Sequence, residues 1–365
     1  MATSLRPVIV VEDDPFLRLI QVILDPSTPR DCLEAFSHFM SHDEPDFSGW
    51  CAQLRSRIPN LYPAEVRLVQ NEDDLVSNLV GAQVLMVEKF GVGEKEIAAG
   101  AGTLRIVQKY GTLTSRIDHT ACERAGSRVL TIRRRANIAT AEHALMLLLA
   151  LARKITRTAN LISLEQLQAV GYSPTVFNRA HVPNGNWARI KGLRTLYGQQ
   201  LGIIGLGEIG REVALRAAAF GMRTVYTQRR CLTESDERAY QATYAPLDEL
   251  LSSSDAVSLH LPGSRATRGI IGRREFAALK PGALLINVSQ PQLVDRAALI
   301  HALASGKLGG LGLDTFYDEP GHAGDPLLAF PNVIITPHLG GSPRFNALRD
   351  FEELLLKIAA ILAKS

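Results

Sequence analysis

Short apolar runs punctuate this chain at regular intervals, and each is followed by a stretch with helical periodicity. Pro7 to Val11, Val66 to Val69, Val84 to Val87 and Leu104 to Val107 read as strands in the first part. Arg223 to Thr227, Ala256 to His260, Leu284 to Val288, Leu311 to Asp314 and Val333 to Thr336 read the same way in the second. Strands that alternate with helices predict parallel sheets. From Thr140 to Arg153 the apolar positions become nearly continuous, which predicts a long buried helix bridging two lobes. Ala347 to Ala363 predicts a last helix that returns to the first lobe. Asp25 to Pro63, rich in proline and in acidic and aromatic residues, reads as an insertion of helices and loops.

One junction carries a chemical signature. Leu201 to Ile204 turns directly into Gly205-Leu-Gly207-Glu208-Ile209-Gly210, and a helical pattern follows. A strand, a G-x-G-x-x-G loop and a helix in that order form a dinucleotide-binding arrangement. Gly205 permits the tight turn, Gly207 lets the backbone approach a pyrophosphate, and Gly210 lets the helix pack closely on the strand. The anion sits at the helix N-terminus, where unpaired N–H groups face it. An NAD-specific site normally carries an acid about 20 residues further on. Here the next strand ends in Gln228-Arg229-Arg230. Two arginines suit a 2′-phosphate, so NADP(H) is the expected cofactor, with NAD(H) as the alternative.

Composition bounds the rest. A chain of 365 residues predicts two domains. The boundaries expected are 1–137 with a return at 339–365, and 138–338. Net charge of +3 gives no argument for nucleic acid, and no run is long enough to span a membrane. Four scattered cysteines suggest neither a zinc site nor a disulfide framework. Met1 to Arg6 shows no signal-peptide pattern, so a cytoplasmic protein is expected. Arg133-Arg134-Arg135 reads either as an anion site or as a solvated turn face. Glu12-Asp13-Asp14 resembles the acidic cluster of receiver domains. The strand at Val84 to Val87 is followed by Glu88 rather than a phosphorylatable Asp, which argues against that reading.

Several short motifs agree in order and spacing. They are Ala141-Glu-His143, Gly185-Asn-Trp187, His260-Leu261-Pro262, Lys280-Pro-Gly282, Leu285-Ile-Asn287, Gly312-Leu-Asp314-Thr-Phe316, Glu319-Pro320 and Thr336-Pro-His338-Leu-Gly340-Gly341. From Leu104 to Ser342 the chain resembles the D-isomer-specific 2-hydroxyacid dehydrogenases. The resemblance implies an α/β protein of two lobes: a Rossmann-type doubly wound nucleotide domain and a flavodoxin-like substrate domain, with the active site in the cleft between them. It also implies a homodimer and a small carbonyl or hydroxy substrate.

By the same resemblance, His338 donates and accepts the proton and Glu319 is its partner. The chemistry is sound on its own terms. A hydride delivered to a carbonyl carbon needs a proton on the oxygen, which a histidine can supply near neutral pH, and a carboxylate orients the ring. His260, Leu261 and Pro262 would line the cofactor cleft, Thr267 would lie on the pyrophosphate side, and Asp314 would hold the nicotinamide carboxamide. Glu208, Ile209, Val288 and Gly340 complete the implied cofactor set.

Two places depart from the family pattern. Where the family reads N-T-A-R-G, this chain reads Asn287-Val-Ser-Gln290-Pro291, so Gln290 stands in place of an arginine. Glutamine donates hydrogen bonds but lacks the charge and the two-pronged grip on a carboxylate. In the loop expected to hold the substrate carboxylate, Gly111-Thr112-Leu113 puts leucine where the family has glycine. Three readings stay open: an altered substrate, a weak conventional reductase, or a nucleotide-binding protein without turnover.

Overall fold

In the computed structural model, which describes residues 6–364, the apolar runs form two parallel sheets. Met1 to Leu5 of the N-terminal reading lie outside the described residues. The chain divides into two units, residues 1–138 with 341–365, and 139–340. The boundary falls inside the helix Arg135–Arg153.

The first unit carries β1 (Val8–Glu12), β2 (Glu65–Val69), β3 (Val84–Val87), β4 (Ile106–Lys109) and β5 (Arg128–Leu130). Their order is β2-β1-β3-β4-β5, all parallel, which is the flavodoxin-like arrangement. Ile9, Val11, Val84 and Met86 face one core, while Val10, Leu85 and Val87 face the other. A sheet buried on both faces explains why these strands read as unbroken apolar runs.

The segment expected to be an insertion is integral to the first core. Its helices Arg30–Met40 and Phe47–Arg57 supply Met40, Phe47, Cys51 and Leu54 to the cluster around β1. The Asp46 side chain caps the second of them by accepting from Gly49 N at 2.9 Å. The helix Phe345–Leu362 adds Phe351, Leu354, Leu355 and Ile358 to the same cluster. The Phe351 ring stacks on Tyr110, with centroids 5.1 Å apart.

Two of the three arginines in the run are engaged within the first unit. Arg134 lies over the Tyr110 ring at 4.2 Å and donates to Glu88 at 2.9 Å. Arg135 binds the fully buried Asp350 through its guanidinium at 2.7 Å and its backbone N–H at 2.9 Å. The buried Glu12 carboxylate accepts from the N–H groups of Glu88, Lys89 and Phe90, which fixes the loop after β3.

The second unit carries β6 (Gln200–Ile204), β7 (Arg223–Thr227), β8 (Ala242–Tyr244), β9 (Ala256–Leu259), β10 (Ala283–Asn287), β11 (Leu308–Leu313) and β12 (Val333–Ile335). Their order, β12-β11-β10-β9-β6-β7-β8, is the doubly wound Rossmann arrangement extended by one strand. The strand order reverses between β6 and β9, so ligands are expected outside the carboxyl ends of those strands. β5 and β8, which the apolar pattern did not predict, are three-residue edge strands with exposed Arg128 and Thr243. No helix among the described residues is long and apolar enough to cross a membrane.

Candidate functional site

Because every strand of the second sheet is parallel, the residues that follow β6, β9, β10, β11 and β12 share one edge. Those residues are the glycine loop, His260, Gln290, Asp314 and His338, in that order.

The glycine loop meets the demands that its sequence predicted. Gly205 has φ +97°, and a Cβ there would lie 2.6 Å from the His260 carbonyl. A Cβ on Gly210 would lie 2.3 Å from the Gly205 carbonyl, so a side chain at either position would force the turn apart. At Gly207 a Cβ would meet nothing within 4 Å. Gly207 begins the 12-residue helix Glu208–Ala219 with no side-chain cap. The first turn therefore presents N–H groups with no capping side chain before them, which fits a pyrophosphate. Ile209 packs on the core beneath the loop.

Gln228 turns inward. Its Oε1 accepts from Leu206 N at 3.2 Å and its Nε2 donates to the Arg230 carbonyl at 2.7 Å, so it braces the glycine loop. Arg229 and Arg230 are exposed and form no ion pair among the described residues.

His260 lies under the loop and is only 9% exposed. Its Nε2 pairs with Ser258 Oγ at 2.8 Å, while Nδ1 is buried without a hydrogen-bond partner. Burial pushes the ring's pKa down to about 3, so it is neutral at working pH. An orphaned polar atom beside the switch point is a second feature that fits a bound ligand. Leu261 is half-buried and Pro262 exposed. Thr267 closes the turn after them by donating to the Pro262 carbonyl at 2.8 Å.

The lowered value has a consequence for stability. In the unfolded chain this ring takes a proton near its ordinary pKa of about 6.5, whereas in the fold it resists protonation down to about 3. Stability is therefore full above the unfolded value and falls as pH drops through that window, by up to about 1.4 kcal/mol per pH unit. The thermal midpoint of the protein is expected to fall between pH 6 and 4 by more than that of His260→Asn (about two pH units of the window). Parallel slopes in thermal scans would show that His260 does not drive the loss.

The loop after β10 is firmly held. Val288 is buried, and Ser289 Oγ donates to the Leu259 carbonyl at 2.7 Å. Asn287 Nδ2 donates to the Gln290 carbonyl at 2.8 Å. The Gln290 side chain is exposed, and among the described residues its Oε1 accepts only a long bond of 3.3 Å from Gln292.

Beyond β11 and β12 the two predicted chemical groups meet. His338 Nδ1 lies 2.9 Å from Glu319 Oε2. The other carboxylate oxygen, Oε1, accepts from Phe316 N at 2.8 Å. Burial opposes ionisation of Glu319, but the Phe316 N–H and His338 outweigh it and hold the carboxyl below its usual range. With Nδ1 committed to Glu319, Nε2 is the ring atom outside that pair. His338 has φ +56° and an exposed ring.

Asp314, only 1% exposed, organises this loop. Its Oδ1 accepts from Thr336 Oγ1 at 2.6 Å and Leu339 N at 2.8 Å, and its Oδ2 from Gly340 N at 2.7 Å. Its backbone carbonyl accepts from His338 N at 2.8 Å. Burial would raise its pKa, yet His143, Thr336 and the two N–H groups bring it down to about 2. His143 Nε2 lies 3.1 Å from Oδ1 and 2.9 Å from Thr336 Oγ1. Sequence reasoning placed His143 in a motif without giving it a role. His143 and Thr336 are 193 positions apart, and only the fold joins them. Thr112, exposed, and Leu113, half-buried, follow β4 in the other unit.

Residues 145–340 match the family model of the D-isomer specific 2-hydroxyacid dehydrogenase, NAD binding domain. A glyoxylate reductase of Thermococcus gammatolerans is 35% identical over 304 residues, 81% of this chain and 81% of its own length. The chain belongs to the D-isomer specific 2-hydroxyacid dehydrogenases. Solved structures agree with this family assignment. One protein from Thermus thermophilus is 30% identical with a TM-score of 0.52, covering 87% of this chain and 94% of its own. A glyoxylate reductase from Paecilomyes thermophila is 25% identical with a TM-score of 0.53, covering 98% and 95%. The protein is thus an oxidoreductase of the 2-hydroxyacid dehydrogenase type with a nicotinamide-binding domain.

Proposed function

We propose that this dehydrogenase is an NADPH-preferring reductase of a small carbonyl compound, with His338 as proton donor and Gln290 as a neutral substrate-orienting group. The observation that carries the proposal is the His338–Glu319 pair at 2.9 Å on the sheet edge that also bears the glycine loop. The pair supplies the oriented imidazole that proton transfer to a carbonyl oxygen needs, which favours this reading over a non-catalytic nucleotide sensor.

Gly205, Gly207, Glu208, Ile209 and Gly210 would hold the dinucleotide, together with His260, Leu261, Pro262, Thr267, Val288, Asp314 and Gly340. Gln228 steadies the loop, and Arg229 and Arg230 offer charge to a 2′-phosphate. These residues would hold a nicotinamide dinucleotide, which would supply the hydride when bound. Glu319 fixes the ring of His338 with Nδ1 inward, so that Nε2–H delivers its proton to the carbonyl oxygen. Gln290 donates one hydrogen bond to the substrate but offers no charge, so an α-carboxylate is gripped weakly. Thr112 and Leu113 are the proposed substrate positions of the first unit. A homodimer and a cytoplasmic location complete the proposal.

Glyoxylate, the substrate in the names of two relatives, is therefore expected to be a poor substrate beside aldehydes and neutral ketones. The variant Gln290→Arg is expected to raise kcat/KM on glyoxylate by about 10²-fold, the usual worth of one preorganised charged donor. Oxidation of NADPH by a panel of carbonyls checks both statements. Rapid glyoxylate reduction by the unaltered protein, with no gain from arginine, would refute the role given to Gln290.

A further inference from the structure

We propose that His143 is a positioning residue for His338, acting through Asp314 and Thr336; this rests on His338 being the proton-transferring group. The proton inventory of the network assigns its direction. Thr336 has one hydroxyl hydrogen, and the 2.6 Å contact commits it to Asp314 Oδ1. Thr336 Oγ1 can then only accept from His143, so His143 Nε2 carries a proton. That N–H is shared between Thr336 Oγ1 at 2.9 Å and Asp314 Oδ1 at 3.1 Å.

The carboxylate is thereby held from the helix side by His143 and from the loop side by Thr336, Leu339 and Gly340. His338 sits between those anchors with φ +56°, a conformation that a residue with a side chain keeps only when its surroundings impose it. A Cβ at Gly340 would lie 2.7 Å from Asp314 Oδ2, so the chain closes tightly round this group. His143 touches neither Glu319 nor His338 in any hydrogen bond among the described residues. Its effect must pass through Thr336 and the carboxylate.

Removing the imidazole leaves a buried carboxylate short of one donor and opens space for water beside it. The His338 loop then loses one side of its clamp. Hydrogen exchange at Leu339 and Gly340 N–H is expected to quicken about tenfold in His143→Ala. At Leu201 to Ile204, within β6, it should stay unchanged. His143→Gln, which returns an N–H to about the Nε2 position, is expected to restore protection at both amides. In turnover, His143→Ala is expected to lower kcat about tenfold or more with KM for the carbonyl nearly unchanged, since a misplaced proton donor slows the chemical step.

Unchanged exchange at both amides in His143→Ala would overturn the proposal, as would a glutamine variant as impaired as the alanine one. If His143→Ala fails to fold, the same two amides compared between His143→Gln and His143→Asn decide the matter, with protection expected only for glutamine. The exchange experiment needs no substrate. A protein that reduces no carbonyl would therefore count against the proposed function while leaving the role of His143 to be read from the amides.

Discussion

Replacing His338 with alanine is expected to lower turnover by about 10³-fold or more while dinucleotide affinity stays within a few-fold. General acid catalysis by a placed histidine is worth roughly 10²–10⁴ in rate. The proposed donor is held at two points. Its Nδ1 is bound to a carboxylate that is itself tied by Phe316 N, and its backbone is clamped by Asp314. Glu319 and Phe316 lie outside the proposed dinucleotide set, and the Asp314 carboxylate keeps its bonds to Thr336, Leu339 N and Gly340 N without the imidazole, so binding of the dinucleotide should survive the loss. Pre-steady-state mixing with NADPH, read beside equilibrium binding, separates the two effects. A variant that turns over at near the original rate would remove His338 from the mechanism.

Replacing Arg229 and Arg230 together with alanine is expected to raise KM for NADPH by about 10–100-fold and to leave KM for NADH nearly unchanged. Charge-assisted hydrogen bonds contribute about 1.5–3 kcal/mol each where they are desolvated, and exposed ones less. Both arginines are exposed and unpaired with any acid among the described residues, so their charge is available to a phosphate. Gln228 carries no charge to repel that phosphate, and its amide is engaged with Leu206 N and the Arg230 carbonyl. Steady-state kinetics with each cofactor decides the point. A double variant that loses affinity for both cofactors equally would mean that the pair supports the loop and does not recognise the phosphate.

Much of this architecture was legible because buried parallel strands leave unbroken apolar runs. β3 was read with its observed ends, Val84 to Val87, and most others within one or two residues. β5 and β8 left no such mark, because a three-residue edge strand needs no apolar run. The Asp25 to Pro63 segment was read as an insertion of helices and loops, and its share in the core went unseen because polar residues interrupt Met40, Phe47, Cys51 and Leu54. Local pattern cannot reveal the partner that such a face will cover. The engagement of two arginines in the run went unseen for the same reason: Glu88, Asp350 and Glu353, which pair with Arg134 and Arg135, are far away in sequence. Motifs located His338, Glu319 and the glycines, since spacing along strands and turns is local. They left the clamp of His143, Thr336 and Asp314 unseen, because it joins a helix to loops after β11 and β12.

The most direct test of the central claim follows one hydrogen atom. The protein is incubated with NADPH deuterated at nicotinamide C4 and a mixture of glyoxylate, other 2-keto acids, aldehydes and neutral ketones. The account predicts deuterium on the carbinol carbon of an alcohol product, chiefly from a carbonyl without an α-carboxylate. Bound cofactor with no deuterium in any alcohol would contradict it.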